Sequence, residues 1–238
     1  MASHSQTLKS GIKVGMRDAM PFILVAAPFG LLFGVVGTEA GLNLLEVMTM
    51  TTLVIAGASQ FTAVALWLEE APTIIVLIAA LAVNLRMAMY SAALVPHFRG
   101  APMRFRLLMG YALVDQNFAL TDGKFAGDTK TPWEFRAGYF FGAFIMIAPF
   151  WISFTYIGAV FGTQIPPEYA IDFALPIMFL ALIGPMLRSI PHYVAAFCSV
   201  AFALGLAWMP FGLGLLVAAF IAIIVASMVE VWLARKAA

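Results

Sequence analysis

Polar and charged residues interrupt several long apolar segments of this 238-residue chain, and they are its best candidates for chemistry. A charged side chain in the hydrocarbon region of a bilayer costs a few kcal/mol on insertion scales. Such a group therefore needs a partner, a wet cavity or a function. The candidates are Gly57, Ala58, Ser59, Gln60, Asn84, Arg86, Asp115, Asn117 and Asp172.

The run from Gly57 to Gln60 combines small size with hydrogen-bonding groups. Gly57 and Ala58 let a neighbouring helix or a ligand approach the backbone closely. Ser59 and Gln60 bring polar groups to the middle of an apolar run. The pattern predicts a substrate-binding or locally unwound segment. The alternative is close helix packing in which Gln60 bonds to a neighbouring helix.

Asn84 and Arg86 lie near the middle of the next long apolar run. A guanidinium group suits the two-pronged geometry of a carboxylate. We therefore expect Arg86, with Asn84 beside it, to bind the carboxylate of a substrate. The alternative is a structural ion pair of Arg86 with Asp115 or Asp172.

Asp115 and Asn117 interrupt a weaker apolar run, and Asp172 precedes a later one. A carboxylate at membrane depth can carry a proton or meet an ammonium group. This predicts that Asp115, Asn117 and Asp172 serve ion coupling or ammonium binding. The alternatives are a hydrated interfacial segment around Asp115 and an N-cap role for Asp172, where the helix dipole favours a carboxylate.

The first apolar run carries residues that suit either a helix break or close packing. Ala26, Gly30 and Gly34 repeat every four residues, which gives a helix one face for close approach to a neighbour. Pro28 with Gly30 instead predicts a broken helix, and broken helices often form transporter sites.

The elements that must position these groups are membrane helices. Hydrophobic residues make up 63% of the chain and charged residues 11%, whereas soluble domains carry about 25% charged residues. With about 20 residues per span, the length allows seven or eight helices. We predict an all-α polytopic membrane protein of about eight transmembrane helices. Its parts are a cytoplasmic segment 1–18, one transmembrane domain 19–233 and a cytoplasmic tail 234–238.

Apolar runs bounded by charges, proline or glycine predict the individual spans. They are 19–37, 45–68, 72–96, 106–120, 137–161, 169–187, 193–208 and 211–233. The fourth contains Asp115, and the number falls to seven if it does not cross. The connections that lead into the third and seventh spans each contain a proline, Pro72 and Pro191, which suggests a 4+4 repeat of parallel topology.

Lysine and arginine residues orient the eight predicted spans with both chain ends in the cytoplasm, because cytoplasmic loops are rich in these residues. Arg99, Arg104 and Arg106 then fall on the outer side, against the rule.

Several function classes lack their sequence signals. The net charge of +1 does not favour nucleic acid. There is no phosphate-binding loop, no HExxH motif or His/Cys cluster, and no Ser/His/Asp grouping. We therefore predict no enzyme activity, no cofactor and no metal site. The lipid bilayer is the expected surrounding.

The polar motifs occur in the same order in the AzlC family, which this chain resembles over nearly its whole length. They are Gly57–Phe61, Asn84–Arg86, Leu113–Phe118 and Asp172–Pro176. The resemblance implies the large subunit of a branched-chain amino acid exporter in the bacterial inner membrane. Its substrates would be valine, leucine and isoleucine, and sometimes methionine or azaleucine. The resemblance also implies that an ion gradient drives export, and that a small AzlD-type membrane protein is the partner.

The leading hypothesis is a secondary exporter that works by alternating access. Two other classes stay open: a channel-like pore, and a non-catalytic membrane subunit that depends on a partner protein. A pore predicts a continuous polar stripe along several helices. The polar groups here lie near the middle of only a few helices, which favours an occluded site.

Overall fold

The computed structural model describes residues 7–161, 187, 189–209 and 213–237, and over these residues the protein is helical. Asp172 and most of the predicted span 169–187 lie outside the described residues. Two 3-10 turns, Met20–Phe22 and Val95–Phe98, precede α2 and follow α5. The helices are α1 (Leu8–Ala19), α2 (Ile23–Glu39), α3 (Leu44–Leu53), α4 (Gly57–Leu68), α5 (Thr73–Leu94), α6 (Met103–Tyr111), α7 (Asp115–Phe125), α8 (Trp133–Phe161), α9 (Ile190–Gly205) and α10 (Leu213–Ala237).

Within the described residues, four helical runs are long and apolar enough to cross a membrane. They are Leu8–Glu39, Thr73–Phe98, Trp133–Phe161 and Leu213–Lys236. The predicted all-helical, polytopic class is thus confirmed in its coarse form. The chain divides into two compact units, Met1–Val64 with Ala80–Pro166, and Ala65–Ala79 with Pro167–Ala238. All predicted site residues in the described ranges belong to the first unit.

Glycine residues let α1 and α2 pack closely on α8. An added Cβ at Gly11 or Gly15 would strike the backbone oxygen of Phe135 or Tyr139, and one at Gly34 would strike that of Thr155. The contact moves forward along both partners, so α1 and α2 run parallel to α8. The predicted segment 1–18 thus consists largely of a helix packed on α8, which begins where Thr7 caps it by accepting from the amide of Ser10.

Helix α3 runs back along α2 for only part of its length. A capping box between Asn43 and Glu46 starts α3, and Val47 lies against Gly37 near the end of α2. The helix ends at Leu53, and α4 begins at Gly57. The first turns of α4 then run parallel to α2, as three contacts show: Phe29 with Gly57, Phe29 with Phe61, and Phe33 with Phe61. Helices α3 and α4 therefore form a hairpin with its tip at residues 54–56.

A second hairpin follows α5. Phe105 contacts Trp133 and Tyr111 contacts Phe144, so α6 runs parallel to α8. Helix α7 returns, because its Phe125 contacts Phe135 near the start of α8. The tip of this α6–α7 hairpin lies at residues 112–114. Helix α5 runs parallel to α7, with contacts in this order: Arg86 with Asp115, Tyr90 with Phe118, and His97 with Asp122.

The prediction that 45–68 and 106–120 are crossing helices is wrong, whereas the alternative in which 106–120 does not cross agrees with the structure. Each range is two short helices that fold back on one another. The tips themselves, 54–56 and 112–114, are apolar, and small or polar residues follow each tip at the start of the second helix. Each hairpin returns to the side from which it came, so the expected eight crossings fall by two.

The hairpin after α5 also corrects the orientation of the charged residues. Because α6 begins beside Trp133, Arg99, Arg104 and Arg106 lie at the same end of the unit as the N-terminal lysines. This end, the basic end, carries Lys9, Lys13, Arg17, Arg99, Arg104, Arg106, Lys124, Lys130 and Arg136. At the other end of α2, the loop 40–43 carries no lysine or arginine. The positive-inside rule favours the basic end as the cytoplasmic one, and the cytoplasmic placement of segment 1–18 stays a prediction.

The second unit contains a helix pair of its own. Gly214 of α10 lies against the carbonyl oxygen of Leu206, which follows the end of α9. The two helices thus meet at a residue without a side chain. Helix α10 extends through Ala237, so the predicted tail 234–238 is helical over its described part.

Gly138→Ala tests the parallel packing of α1 on α8. The new methyl group would strike the backbone oxygen of Leu8, and overpacking of this kind costs about 1–3 kcal/mol. We expect the melting temperature of the purified protein to fall by about 2–10 °C. Gly123→Ala is the control, because an added Cβ there meets nothing within 4 Å. Equal melting temperatures for the two variants would contradict the packing.

Asp128 organises the loop between α7 and α8. Its carboxylate accepts hydrogen bonds from the amides of Lys130 (2.8 Å) and Thr131 (3.1 Å) and lies 3.8 Å from Arg136. Hydrogen bonds from Thr131 and Lys130, with the nearby Arg136 charge, lower the pKa of the Asp128 carboxyl to about 2. A lowered carboxyl pKa stabilises the fold above the unfolded value of 3.8, and this stabilisation is lost as the pH falls toward 2.

Asp128→Asn should therefore lower the melting temperature at pH 6 while the difference from the parent protein closes between about pH 4 and pH 2. Protonated aspartic acid then resembles asparagine in charge. Thermal unfolding of both proteins across this range measures the gap. A gap that stayed constant with pH would rule out the role of the ionised carboxylate.

Candidate functional site

Asn117 builds the tip of the α6–α7 hairpin. Its side-chain oxygen accepts from the Val114 amide (2.9 Å), and its side-chain nitrogen donates to the Ala112 carbonyl (2.6 Å). The residue is fully buried. A helix that starts at membrane depth leaves backbone groups without partners. Asn117 satisfies two of them and so makes this break stable.

Arg86 and Asp115 meet beside this tip. The Nη2 atom of Arg86 lies 3.0 Å from the Oδ2 atom of Asp115, and both side chains are about one-third exposed or less. Asp115 is the first residue of α7, where the helix dipole favours a negative charge. The ion pair that the sequence left as an alternative is present. Even so, Arg86 Nε and Asp115 Oδ1 are buried and have no hydrogen-bond partner in the described part of the chain.

Tyr90 completes the surroundings of the ion pair, and it was not predicted as a site residue from the sequence. Its ring stacks on Phe118, three residues after Asp115, with centroids 4.0 Å apart and planes 10° apart. The signal was available, because residues four apart on a helix share a face. Tyr90 is one turn beyond Arg86.

The polar residues at the start of α4 form a different environment. Gly57 is wedged against the rings of Phe29 and Trp151, each 3.0 Å from where its Cβ would be. The Ser59 hydroxyl donates to the Ala56 carbonyl (2.9 Å). Gln60 is fully buried, and neither atom of its amide has a hydrogen-bond partner among the described residues. An unpaired buried amide costs about 1–3 kcal/mol, which favours a role beyond packing.

Asn84 is not brought beside Arg86. Residues two apart on a helix point to different faces, and the side-chain oxygen of Asn84 is buried without a partner in the ranges described. The structure therefore joins Arg86 with Asp115 and Tyr90, and leaves Asn84 on another face of α5.

The expected break at Pro28 and Gly30 does not occur. Helix α2 continues through Pro28, and the irregular turn comes earlier, at Met20–Phe22, where Pro21 lies. A membrane helix tolerates proline when its surroundings adjust. Gly30 and Gly34 instead lie at the closest approach of α2 to α8.

The two hairpin tips touch each other. The hydroxyl of Tyr111, at the end of α6, donates to the carbonyl of Thr52, near the end of α3 (2.5 Å). Behind this contact, Trp151 of α8 donates to Thr51 (2.7 Å), whose hydroxyl lies 3.3 Å from that of Thr155. Hydrogen bonds thus join both tips and the long helix α8.

A half-open cleft of about 140 Å³ leads from the basic end toward the α6–α7 tip. Arg106 lines it on the side of the basic end, and Leu113 lines it at the tip, two residues before Asp115. Neither Arg86 nor Asp115 lines this cleft, so the ion pair lies outside it.

The ion pair can be tested with a double-mutant cycle. Arg86→Gln and Asp115→Asn should each destabilise the purified protein, because each leaves one charge without its partner. We expect the double variant to be more stable than the sum of the single changes predicts, with a coupling of about 1–3 kcal/mol. Unfolding of the four proteins in one detergent measures this coupling. Additive effects would show that the charges do not interact.

Comparison with known proteins places this site in a family. The chain matches the family described as AzlC protein over residues 21–165. It is 25% identical over 205 residues to an uncharacterized membrane protein of Archaeoglobus fulgidus, covering 84% of this chain and 87% of that protein. It is 23% identical over 175 residues to the inner membrane protein YgaZ of Escherichia coli, covering 71% and 70%. No solved structure matches the chain.

The family match covers both hairpins and every described site residue. It also agrees with the candidate transmembrane helices, since the relatives are named as membrane proteins. The match extends over more than half of the sequence. This chain belongs to the AzlC family of membrane proteins.

Proposed function

We propose that this protein exports branched-chain amino acids across the bacterial inner membrane by alternating access, driven by an ion gradient. Valine, leucine and isoleucine are the proposed substrates, with methionine and azaleucine as further ones. A small AzlD-type membrane protein is the proposed partner. The observation that carries the proposal is the ion pair of Arg86 and Asp115 at a helix break, with one unpaired atom on each side chain.

This ion pair is complementary to a zwitterion. The carboxylate of an amino acid matches the guanidinium of Arg86, and its ammonium group matches Asp115. In the empty protein the two side chains neutralise each other, which lowers the cost of holding charge at membrane depth. A bound zwitterion would exchange one neutral set of contacts for another, so the membrane would never hold an unpaired charge.

The proposed pocket for the apolar side chain lies at the start of α4. The rings of Phe29, Phe33, Phe61 and Trp151 cluster there, with centroids 5.1–6.5 Å apart. Gly57 lies against two of these rings. A branched aliphatic side chain gains about 0.8 kcal/mol for each buried methylene, so such a surface favours leucine over alanine.

Ion coupling is assigned to Asp115. A carboxylate that loses its ion partner at membrane depth becomes a proton acceptor. When a substrate carboxylate occupies Arg86, Asp115 is freed to bind either the substrate ammonium group or a proton. Asp172 stays a second predicted coupling residue, outside the described residues.

Efflux from preloaded cells tests the proposal. Arg86→Ala and Asp115→Asn should each lower leucine efflux by about 10-fold to 100-fold, as expected for the loss of one charged hydrogen bond. Lys130→Ala is the control, because Lys130 is exposed in the α7–α8 loop. Arg86→Ala with parental efflux, at equal protein in the membrane, would eliminate the carboxylate-binding role.

Further arms of the same assay separate the competing functions. A secondary transporter gives flux that saturates with substrate and falls when a proton uncoupler collapses the gradient. A pore gives flux that does not saturate, and a dependent subunit gives none without its AzlD-type partner. If the protein does not increase the efflux of branched-chain amino acids, the substrate assignment is overturned.

A further inference from the structure

Two helix-hairpin segments, whose paired contacts all lie in the first unit, share one design. In each, a long helix is followed by a short helix, a three-residue tip and a second short helix. The first segment comprises α2, α3 and α4, and the second comprises α5, α6 and α7. The tips at 54–56 and 112–114 occupy the same place in each segment.

Matching residues support this correspondence. Phe33 contacts Phe61 with ring centroids 5.5 Å apart, and Tyr90 contacts Phe118 at 4.0 Å. Both residues of the second pair follow those of the first by 57 positions. The same shift relates two fully buried amides, Gln60 and Asn117.

The two segments point in opposite directions. Helix α2 runs parallel to α8, whereas α5 runs parallel to α7, which is antiparallel to α8. One hairpin therefore enters from the basic end and the other from the opposite end. Two segments of one design and opposite direction form an inverted-topology repeat, an arrangement in which transporters build their central sites.

The charges lie in only one of the repeats. Arg86 and Asp115 of the second repeat correspond to Phe29 and Ala58 of the first at the same shift. The second repeat thus offers polar recognition where the first offers apolar surface. This division fits a substrate with a charged head and an apolar side chain.

The two equivalent amides are used differently in this structure. Asn117 holds the tip of its hairpin through two hydrogen bonds, whereas Gln60 has no hydrogen-bond partner in the described ranges. Gln60 is the fourth residue of α4, and Asn117 is the third residue of α7. The side chain of Gln60 is one methylene longer than that of Asn117, which suits a residue one position farther from its tip.

We propose that the two repeats exchange conformations, and that Gln60 is a positioning residue that holds the α3–α4 tip in the opposite-facing state as Asn117 holds the α6–α7 tip here. In each state only one tip is bonded by the side-chain amide of its own repeat. The buried, unpaired amide of Gln60 is then a contact kept for the other state. The inference rests on the proposed alternating access, but it does not depend on which solute is carried.

Hydrogen–deuterium exchange of the substrate-free protein tests this coupling. Asn117→Leu removes the bonds that hold the α6–α7 tip and should shift the population toward the opposite state. Amides at 110–116 should exchange faster, while those at 53–59 should exchange slower. Gln60→Leu should produce the reverse pattern. We expect changes of about fivefold, the value of one hydrogen bond.

The reciprocal slowing distinguishes coupling from local damage. Thr121→Val is the control: Thr121 is fully buried one turn beyond Asn117, and its hydroxyl has no hydrogen-bond partner in the part of the chain that is described. Thr121→Val should leave the amide exchange rates at both tips unchanged. If each leucine variant loosened only its own tip, or if Gln60→Leu changed neither, the exchange proposal would be overturned.

The proposed transport function and the proposed conformational exchange of the repeats can be tested independently. If efflux is absent while the reciprocal exchange pattern is present, the proposed substrate is wrong and the repeat mechanism stands. If leucine efflux is present without the reciprocal pattern, Gln60 is a substrate contact or a packing residue, and its positioning role is eliminated.

Discussion

Every helix break within a bilayer must satisfy its own backbone, because lipid offers no hydrogen bonds. In this protein Asn117 meets that requirement by bonding both sides of the α6–α7 tip. The break then places Asp115 at a helix start, facing Arg86. The hairpin break and the position of Asp115 at the start of α7 thus depend on this one amide.

The hairpins also explain the distribution of charge. With a crossing helix at 106–120, three arginines would lie on the outer side. With a hairpin, Arg99, Arg104 and Arg106 join the other basic residues at one end of the unit. The topology and the positive-inside rule then agree without exception in this unit. The agreement is independent support for the hairpin, since charge played no part in the contacts that define it.

Glycine supplies the frame against which the hairpins are held. Gly30 and Gly34 bring α2 into backbone contact with α8, and Trp151 of α8 bonds Thr51 beside the first tip. A close-packed pair of long helices thus gives the broken helices a rigid support. Rigid supports matter for alternating access, because shorter elements can then move against them.

Composition and motif spacing were enough to predict the membrane class, the helical nature of the chain and the polar residues within apolar segments. Composition and hydropathy carry this information because lipid selects for apolar residues at every lipid-facing position. The sequence also predicted the close packing of Gly30 and Gly34, since small residues four apart share one helix face.

The sequence could not determine whether the apolar runs 45–68 and 106–120 cross the membrane or fold back on themselves. A hairpin and a crossing helix bury similar apolar runs, so only the contacts between distant residues distinguished them. The same contacts paired Arg86 with Asp115, set Asn84 on another face, kept α2 continuous at Pro28 and showed the inverted relation of the two repeats. Those outcomes depend on contacts between residues that are far apart in the sequence, and local sequence patterns do not show which distant residues will meet.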